Sequence, residues 1–307
     1  MDILLNPEQT AARLPWAPLV DEIEARLADA SVSVPPRTVL PMAAGAFLFA
    51  MPGCDARTAM TKLITFTPAN MGTRRPPIQG AVTVFDVASG ERPLILDGPT
   101  VTARRTAAVS ALAARWLAPN LSGPMLIVGA GVQGQAHIEV FAAALGVTQF
   151  RIASRRRASA EALAEHARGL GLQAEVVDDA DAALADCPLA ATCTPASEVV
   201  LRAARRADAF IAAVCAFTPQ RVEIDAELCR RSAAQGRIVV DSRDAGHEAG
   251  DLLQAGLDVD AMPALADIVR AQQKARAEGG PVLFKSCGWA GWDLAAARLA
   301  VQARAGG

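Results

Sequence analysis

The sequence predicts an α/β fold: a doubly wound parallel sheet accompanied by an antiparallel β region. Three observations predict it. A glycine-rich turn, MLIVGAGVQGQAHI over Met125–Ile138, follows a short apolar run and opens a helix. Downstream of it, apolar runs alternate with helical stretches, the pattern of parallel strands covered on both faces by crossover helices. Upstream, between Thr38 and Leu96, short runs separated by turn residues take the place of that alternation.

A chain of 307 residues, 52% hydrophobic, has room for two domains with sizeable cores. Tyrosine is absent and alanine is abundant, which suits closely packed helices. A net charge of −2 excludes nucleic acid as the main partner, because phosphate contacts need clustered cations. The six cysteines contain no C-x-x-C pair and there are only three histidines, so no metal site is expected. Scattered cysteines in a chain of this length read as reduced, buried thiols of a cytoplasmic protein. The N-terminus, with Asp2, lacks a basic-then-apolar leader. The uncharged runs Thr38–Cys54 and Trp116–Ile138 are broken by prolines and glycines, so no membrane span is expected.

Taken in order, residues 7–29 read as an amphipathic helix, with Pro7 at its start and Leu14, Ile23 and Leu27 on its apolar side. Pro35-Pro36 stops it. A hairpin is expected around Ala44-Gly45, a strand over Thr58–Thr67, and strands at Gly80–Asp86 and Pro93–Asp97 flanking a Ser89-Gly90 turn. A helix over Thr100–Leu117 ends at Pro119-Asn120. Strands are expected at 125–129, 149–153, 173–177, 188–192, 209–214 and 237–241. Helices follow at 249–256 and 264–277, then a strand at 282–286 and a closing helix at 290–304.

Gly129, Gly131 and Gly134 are spaced G-x-G-x-x-G between strand and helix, the Rossmann-type dinucleotide turn. The first glycine permits a tight turn, the second lets a pyrophosphate approach the backbone, and the third lets helix pack on strand. The helix start, at Val132 and Gln133, offers N–H groups and a positive dipole end to the phosphates. NAD-preferring units place an acid at the end of the second strand. Here that strand ends in Ser154-Arg155-Arg156-Arg157, with no acid. Ser154, Arg155 and Arg156 suit a 2′-phosphate, so NADP(H) is the expected cofactor, with NAD(H) as the alternative.

Three cations stand where apolar residues belong. Lys62 shares a strand face with Met60, Ile64 and Phe66. Arg105 falls in the helical stripe of Val101, Val109, Leu112 and Trp116, whereas Arg104 and Arg115 lie off it as solvated residues. Arg37 directly follows two prolines. Buried cations need anions, either internal Asp or Glu partners or a ligand. Together, and beside a dinucleotide motif, the three favour a small carboxylate ligand, which arginine binds in bidentate fashion.

With these residues assembled, the chain resembles the ornithine cyclodeaminase/μ-crystallin family over nearly its whole length. The resemblance rests on Pro35-Pro36-Arg37, Lys62 in KLITFTPAN, and Thr102–Ala107 with Arg105-Thr106. It continues through the glycine turn, Glu223 in VEID, Asp241 in VVDS, and FKSCGWAGWD ending at Asp293. It implies a Rossmann domain at 118–281 and an antiparallel substrate-binding and dimerisation domain at 1–117, completed by 282–307. It also implies carboxylate binding by Arg37, Lys62 and Arg105, with Lys62 and Arg105 as catalytic residues and Thr106 among the cofactor contacts. Cyclodeaminases of the family carry an aspartate just after the strand that here reads IAAV. Phe217 occupies that position and cannot move a proton. Trp292 replaces an acid often found before Asp293.

The leading expectation is therefore NADPH-dependent reduction of a cyclic ketimine 2-carboxylate by a homodimer. The alternatives are ornithine cyclodeamination or alanine dehydrogenation within the family, and a cofactor-bound binding protein without turnover.

Overall fold

A computed structural model describes residues 3–195, 198–202, 206–274 and 280–305. The chain divides into two compact units, Met1–Arg105 with Trp289–Gly307, and Thr106–Gly288.

The first unit begins with α1 (Pro7–Ala12) and α2 (Trp16–Ala28). The single helix expected over 7–29 is thus two. Pro15, which lacks an N–H and crowds the preceding turn, ends one and caps the other. Asn6 closes a capping box with Gln9 at the start of α1. Five strands follow: β1 (Thr38–Pro41), β2 (Phe47–Cys54), β3 (Thr58–Phe66), β4 (Ile78–Asp86) and β5 (Leu94–Asp97). They form an antiparallel meander in sequence order. The expected hairpin at Ala44-Gly45 joins β1 to β2, and both residues take the left-handed conformation that tight reversals require (φ 56° and 70°).

The helix α3 (Gly98–Leu117) comes next. Its sequence suggested one apolar stripe, but from Arg105 to Ala114 every residue is buried. Alanines at 107, 108, 111, 113 and 114 let neighbours approach it from all sides, which is why periodicity understated its burial.

The second unit carries seven parallel strands: β6 (Met125–Val128), β7 (Gln149–Ala153), β8 (Gln173–Val176), β9 (Leu189–Thr192), β10 (Phe210–Ala213), β11 (Arg237–Val240) and β12 (Val282–Lys285). Among them run α4 (Val132–Leu145), α5 (Arg157–Gly169), α6 (Ala180–Leu184), α7 (Ala226–Gln235), α8 (Gly250–Gln254) and α9 (Leu265–Arg270). The order is β11-β12-β10-β9-β6-β7-β8. The chain winds outward one way through β7 and β8, then the other way from β9, so β6 and β9 flank the switch point where such sheets bind ligands. β6, β9, β10 and β12 are buried at every residue, as strands covered on both faces should be.

Two sequence expectations change here. Residues 282–285, grouped with the first domain, hydrogen-bond in parallel between β10 and β11 and belong to the second sheet. Their fully buried run VLFK suits an interior parallel strand. The helix expected over 264–277 spans Leu265–Arg270, and its last residues, 275–277, lie outside the described ones.

The closing helix α10 (Ala290–Ala305) returns to the first unit and packs against α2, β2 and β3. The core there is formed by Met51, Met60, Val82 and Val84 from the sheet, Leu19 and Ile23 from α2, and Trp292, Leu294 and Ala297 from α10. None of the described helices is long and apolar enough to cross a membrane.

Candidate active site

In the first unit the strand alternation of β3 turns Thr58, Met60, Lys62 and Ile64 inward. Lys62 is 1% exposed. Its Nζ donates to both oxygens of Asp293, at 3.0 Å and 2.8 Å. Asp293 lies in the first turn of α10, where the helix dipole favours an acid, and is fully buried. Its Oδ1 also stands 3.4 Å from Nε of Arg105, which is 6% exposed.

Lys62 therefore has the internal acid that its buried position requires, a partner that strand and helix periodicities did not identify. The pairing does not balance the site, since two cations share one carboxylate. Burial pushes the Lys62 ammonium down, Asp293 opposes it, and the charges of Arg105 and Arg37 add to the fall; the outcome is a pKa of about 8. Arg37, half-buried after its two prolines, is thus electrostatically part of the cluster. The structure pairs Lys62 and Arg105 with one aspartate, and the charge of Arg37 acts on Lys62. Arg104, expected to be solvated, instead donates to the Leu14 carbonyl at 2.8 Å and stacks 3.7 Å over the Trp16 ring. It is a structural residue.

In the second unit the glycine turn lies between β6 and α4. Gly129 has φ 115°, and a Cβ there would stand 2.5 Å from the Cys193 carbonyl oxygen at the end of β9. A Cβ on Gly134 would collide with the Gly129 carbonyl oxygen. The fold itself thus demands these two glycines. It does not demand Gly131, whose φ is −104° and whose Cβ would meet nothing within 4 Å. A glycine that packing does not require, placed at the N-cap of α4 with no side-chain cap on the helix, suits the close approach of a pyrophosphate. Val132 is 71% exposed at the same helix start, and the buried Oε1 of Gln133 has no hydrogen-bond partner among the described residues. Thr106 is buried in α3, and its carbonyl accepts from Ser110.

After β7, Ser154 is half-buried while Arg155 and Arg156 are exposed. Arg157 pairs with Asp178 and Glu161. Arg155 and Arg156 make no ion pair among the described residues. These residues fit a dinucleotide.

At the carboxyl ends of the second unit's strands a buried acidic network ties the loops together. Glu223 accepts from the Thr194 N–H and hydroxyl after β9, and from the Cys215 and Ala216 N–H groups after β10. Burial raises its pKa, with Lys285 and the Thr194 and Cys215 N–H groups opposing. Asp251 accepts from the Glu223 and Ile224 N–H groups and pairs with Lys285 at 2.5 Å. Asp241 gathers Ser286, Cys287 and Gly288 at the end of β12. Glu223 and Asp241 entered the sequence reading only through a resemblance, and Asp251 and Lys285 as sites not at all. An acid among apolar neighbours was the signal available for Asp251, and a lysine closing an apolar strand for Lys285.

Phe217 is half-buried, packs on the core beneath α7 and α8, and carries Arg221 5.4 Å above its ring. His137 is fully buried, bridging the Gln133 carbonyl at 2.7 Å and the Ser110 hydroxyl at 3.0 Å. Burial lowers its pKa to about 4, so it is a neutral structural residue. His247 is exposed at the end of a short helical turn.

The chain is 36% identical over 306 residues to a Δ1-pyrroline-2-carboxylate reductase of Burkholderia ambifaria, covering 97% of this chain and 96% of the relative. It is 36% identical to the mouse ketimine reductase μ-crystallin, covering 92% and 90%. In fold it matches a Thermococcus litoralis Δ1-pyrroline-2-carboxylate reductase solved with NADH and L-proline, with a TM-score of 0.90, 24% identity, and coverage of 98% of this chain and 97% of the other. An archaeal alanine dehydrogenase dimer with bound NAD has the same fold, with a TM-score of 0.88, 20% identity, and coverage of 99% and 96%. The model of the ornithine cyclodeaminase/mu-crystallin family matches residues 5–306, and the chain belongs to that family.

Proposed function

We propose that this protein is an NADPH-dependent reductase of cyclic ketimine 2-carboxylates, converting Δ1-pyrroline-2-carboxylate or Δ1-piperideine-2-carboxylate to the cyclic amino acid. The observation that carries the reading is the cation excess around Asp293: Lys62 and Arg105 share one carboxylate, and Arg37 adds its charge. An anionic ligand completes the balance. The named reductases among its relatives support this substrate class.

When bound, the nicotinamide cofactor supplies the hydride. The chain's own residues bind and orient. Gly129, Gly131, Val132, Gln133 and Gly134, with Thr106, hold the dinucleotide, and Ser154, Arg155 and Arg156 take its 2′-phosphate. The absence of an acid after β7 favours NADPH over NADH. Arg37 and Arg105 clamp the carboxylate next to the C=N carbon, which fixes the ring's orientation. Lys62 donates to the same carboxylate. A protonated imine is already electrophilic, so no strong general acid is needed. Phe217 offers no proton acceptor where ring closure from ornithine needs one.

In this reading the first unit binds substrate and the second binds the dinucleotide. The outward face of the first sheet, with Leu40, Leu63 and Phe85 exposed, is the surface proposed for homodimerisation. The six cysteines form no disulfide, in keeping with a cytoplasmic setting. One spectrophotometric assay tests the function. Oxidation of NADPH with Δ1-pyrroline-2-carboxylate is the expected result. Ammonia release from ornithine without net cofactor change, NADH formation with L-alanine, or cofactor binding with no turnover would each replace the proposal.

A further inference from the structure

We infer that Asp293 is the positioning residue of the carboxylate site: it holds Lys62 and Arg105 in register and keeps Lys62 charged for substrate capture. The inference rests on the carboxylate-binding reading above and assigns a role to a residue that never touches the substrate.

The geometry carries it. An ammonium group has three N–H donors. Lys62 directs Nζ to both oxygens of Asp293, at 3.0 Å and 2.8 Å, which leaves one donor for a ligand. Arg105 stands beside the same Oδ1 at 3.4 Å, a long contact for a charged pair, and its Nε has no hydrogen bond among the described residues. One carboxylate thus spaces two cations that would otherwise repel, without consuming all their donors.

The largest charge effects on Lys62 come from Asp293 on α10, Arg105 on α3 and Arg37 ahead of β1. Of these only Asp293 favours the ammonium; burial and both arginines work against it. With Asp293 present, Lys62 keeps its proton up to about pH 8. With Asp293 neutralised, the largest remaining influences, burial and the two arginines, all point downward. Lys62 would then lose its charge within the neutral range, and carboxylate capture with it.

The sequence contains three lysines, Lys62, Lys274 and Lys285, so the full-length protein labelled at lysine Cε gives a spectrum simple enough to assign by Lys62→Arg. In the wild type the Lys62 signal should titrate near pH 8. In Asp293→Asn the midpoint should fall by about one pH unit or more, and KM for Δ1-pyrroline-2-carboxylate near pH 8 should rise about tenfold with kcat little changed. That KM should recover at pH 6, where Lys62 is again protonated, which a merely loosened fold would not do. An unmoved Lys62 midpoint in the Asn variant overturns the proposal.

If the Asn variant does not fold, Asp293→Glu keeps the charge but displaces it by one methylene. The midpoint should then stay near that of the wild type while KM rises severalfold, and an unchanged KM overturns the positioning role. A wild-type protein that does not reduce the imine refutes the proposed function, yet the lysine titration still reads the Asp293–Lys62 coupling.

Discussion

Lys62 and Lys285 are both buried, and each meets an aspartate, at 2.8 Å and 2.5 Å respectively. Their ammonium groups nevertheless shift in opposite directions. At Lys285 burial works against the charge, but Asp251 outweighs it, with Cys287 and Glu223 adding to the pull, and the pKa rises. At Lys62 burial wins, because Asp293 is shared with Arg105 and Arg37 adds repulsion, and the pKa falls to about 8. A buried lysine with acids to spare is a structural tie, here fastening β12 to α8. A buried lysine that shares its acid with another cation is, in the proposed function, one that an anionic ligand completes. In the proposed function the surplus of charge, rather than burial, marks the pair that serves the substrate.

The widest separation between the two should come from deleting each lysine. Lys285→Met leaves Asp251 buried without its cation and should cost about 3–5 kcal/mol of stability, read from the denaturant midpoint. Lys62→Met leaves Asp293 with Arg105, so its stability loss should be well below that while imine turnover falls. Equal losses from the two would erase the distinction.

Next in size, Arg105→Ala should lower kcat/KM for the imine by about 3–4 kcal/mol, two to three orders of magnitude, with NADPH affinity unchanged. Unaltered turnover would remove the clamp. A pH profile of the wild type sharpens the same point. Lys62 must be protonated to hold a carboxylate, so KM should be level below about pH 8 and rise toward tenfold per pH unit above it. Lys285, held charged, contributes nothing in that window.

The smallest expected effect concerns the third cationic region, after β7. Arg155→Gln removes an exposed charge and should shift the preference for NADPH over NADH by about 1 kcal/mol, read as the ratio of kcat/KM values. Loss of imine affinity instead would mean that this arginine serves the substrate.

How much of this the sequence carried depends on how local each cause is. The turn at Gly129–Gly134 was legible because its requirements act within six residues: a positive φ, a helix start and a clash between neighbours in the chain. The inward face of Lys62 followed from the two-residue period of its strand, and the stripe position of Arg105 from the helical period. The absent acid after β7 and the phenylalanine at 217 were readable as chemistry alone.

Asp293 was not legible as the partner of Lys62. The two are 231 residues apart, and only the return of α10 onto the first sheet joins them. The same holds for Lys285, whose strand enters the second sheet between β10 and β11, out of chain order. Periodicity tells which way a side chain points, so the sequence by itself determined that buried cations existed and that a dinucleotide turn preceded a helix. What each cation faces is set by long-range packing, so only the tertiary structure decided which lysine's acid outweighs burial and which lysine shares its acid with an arginine.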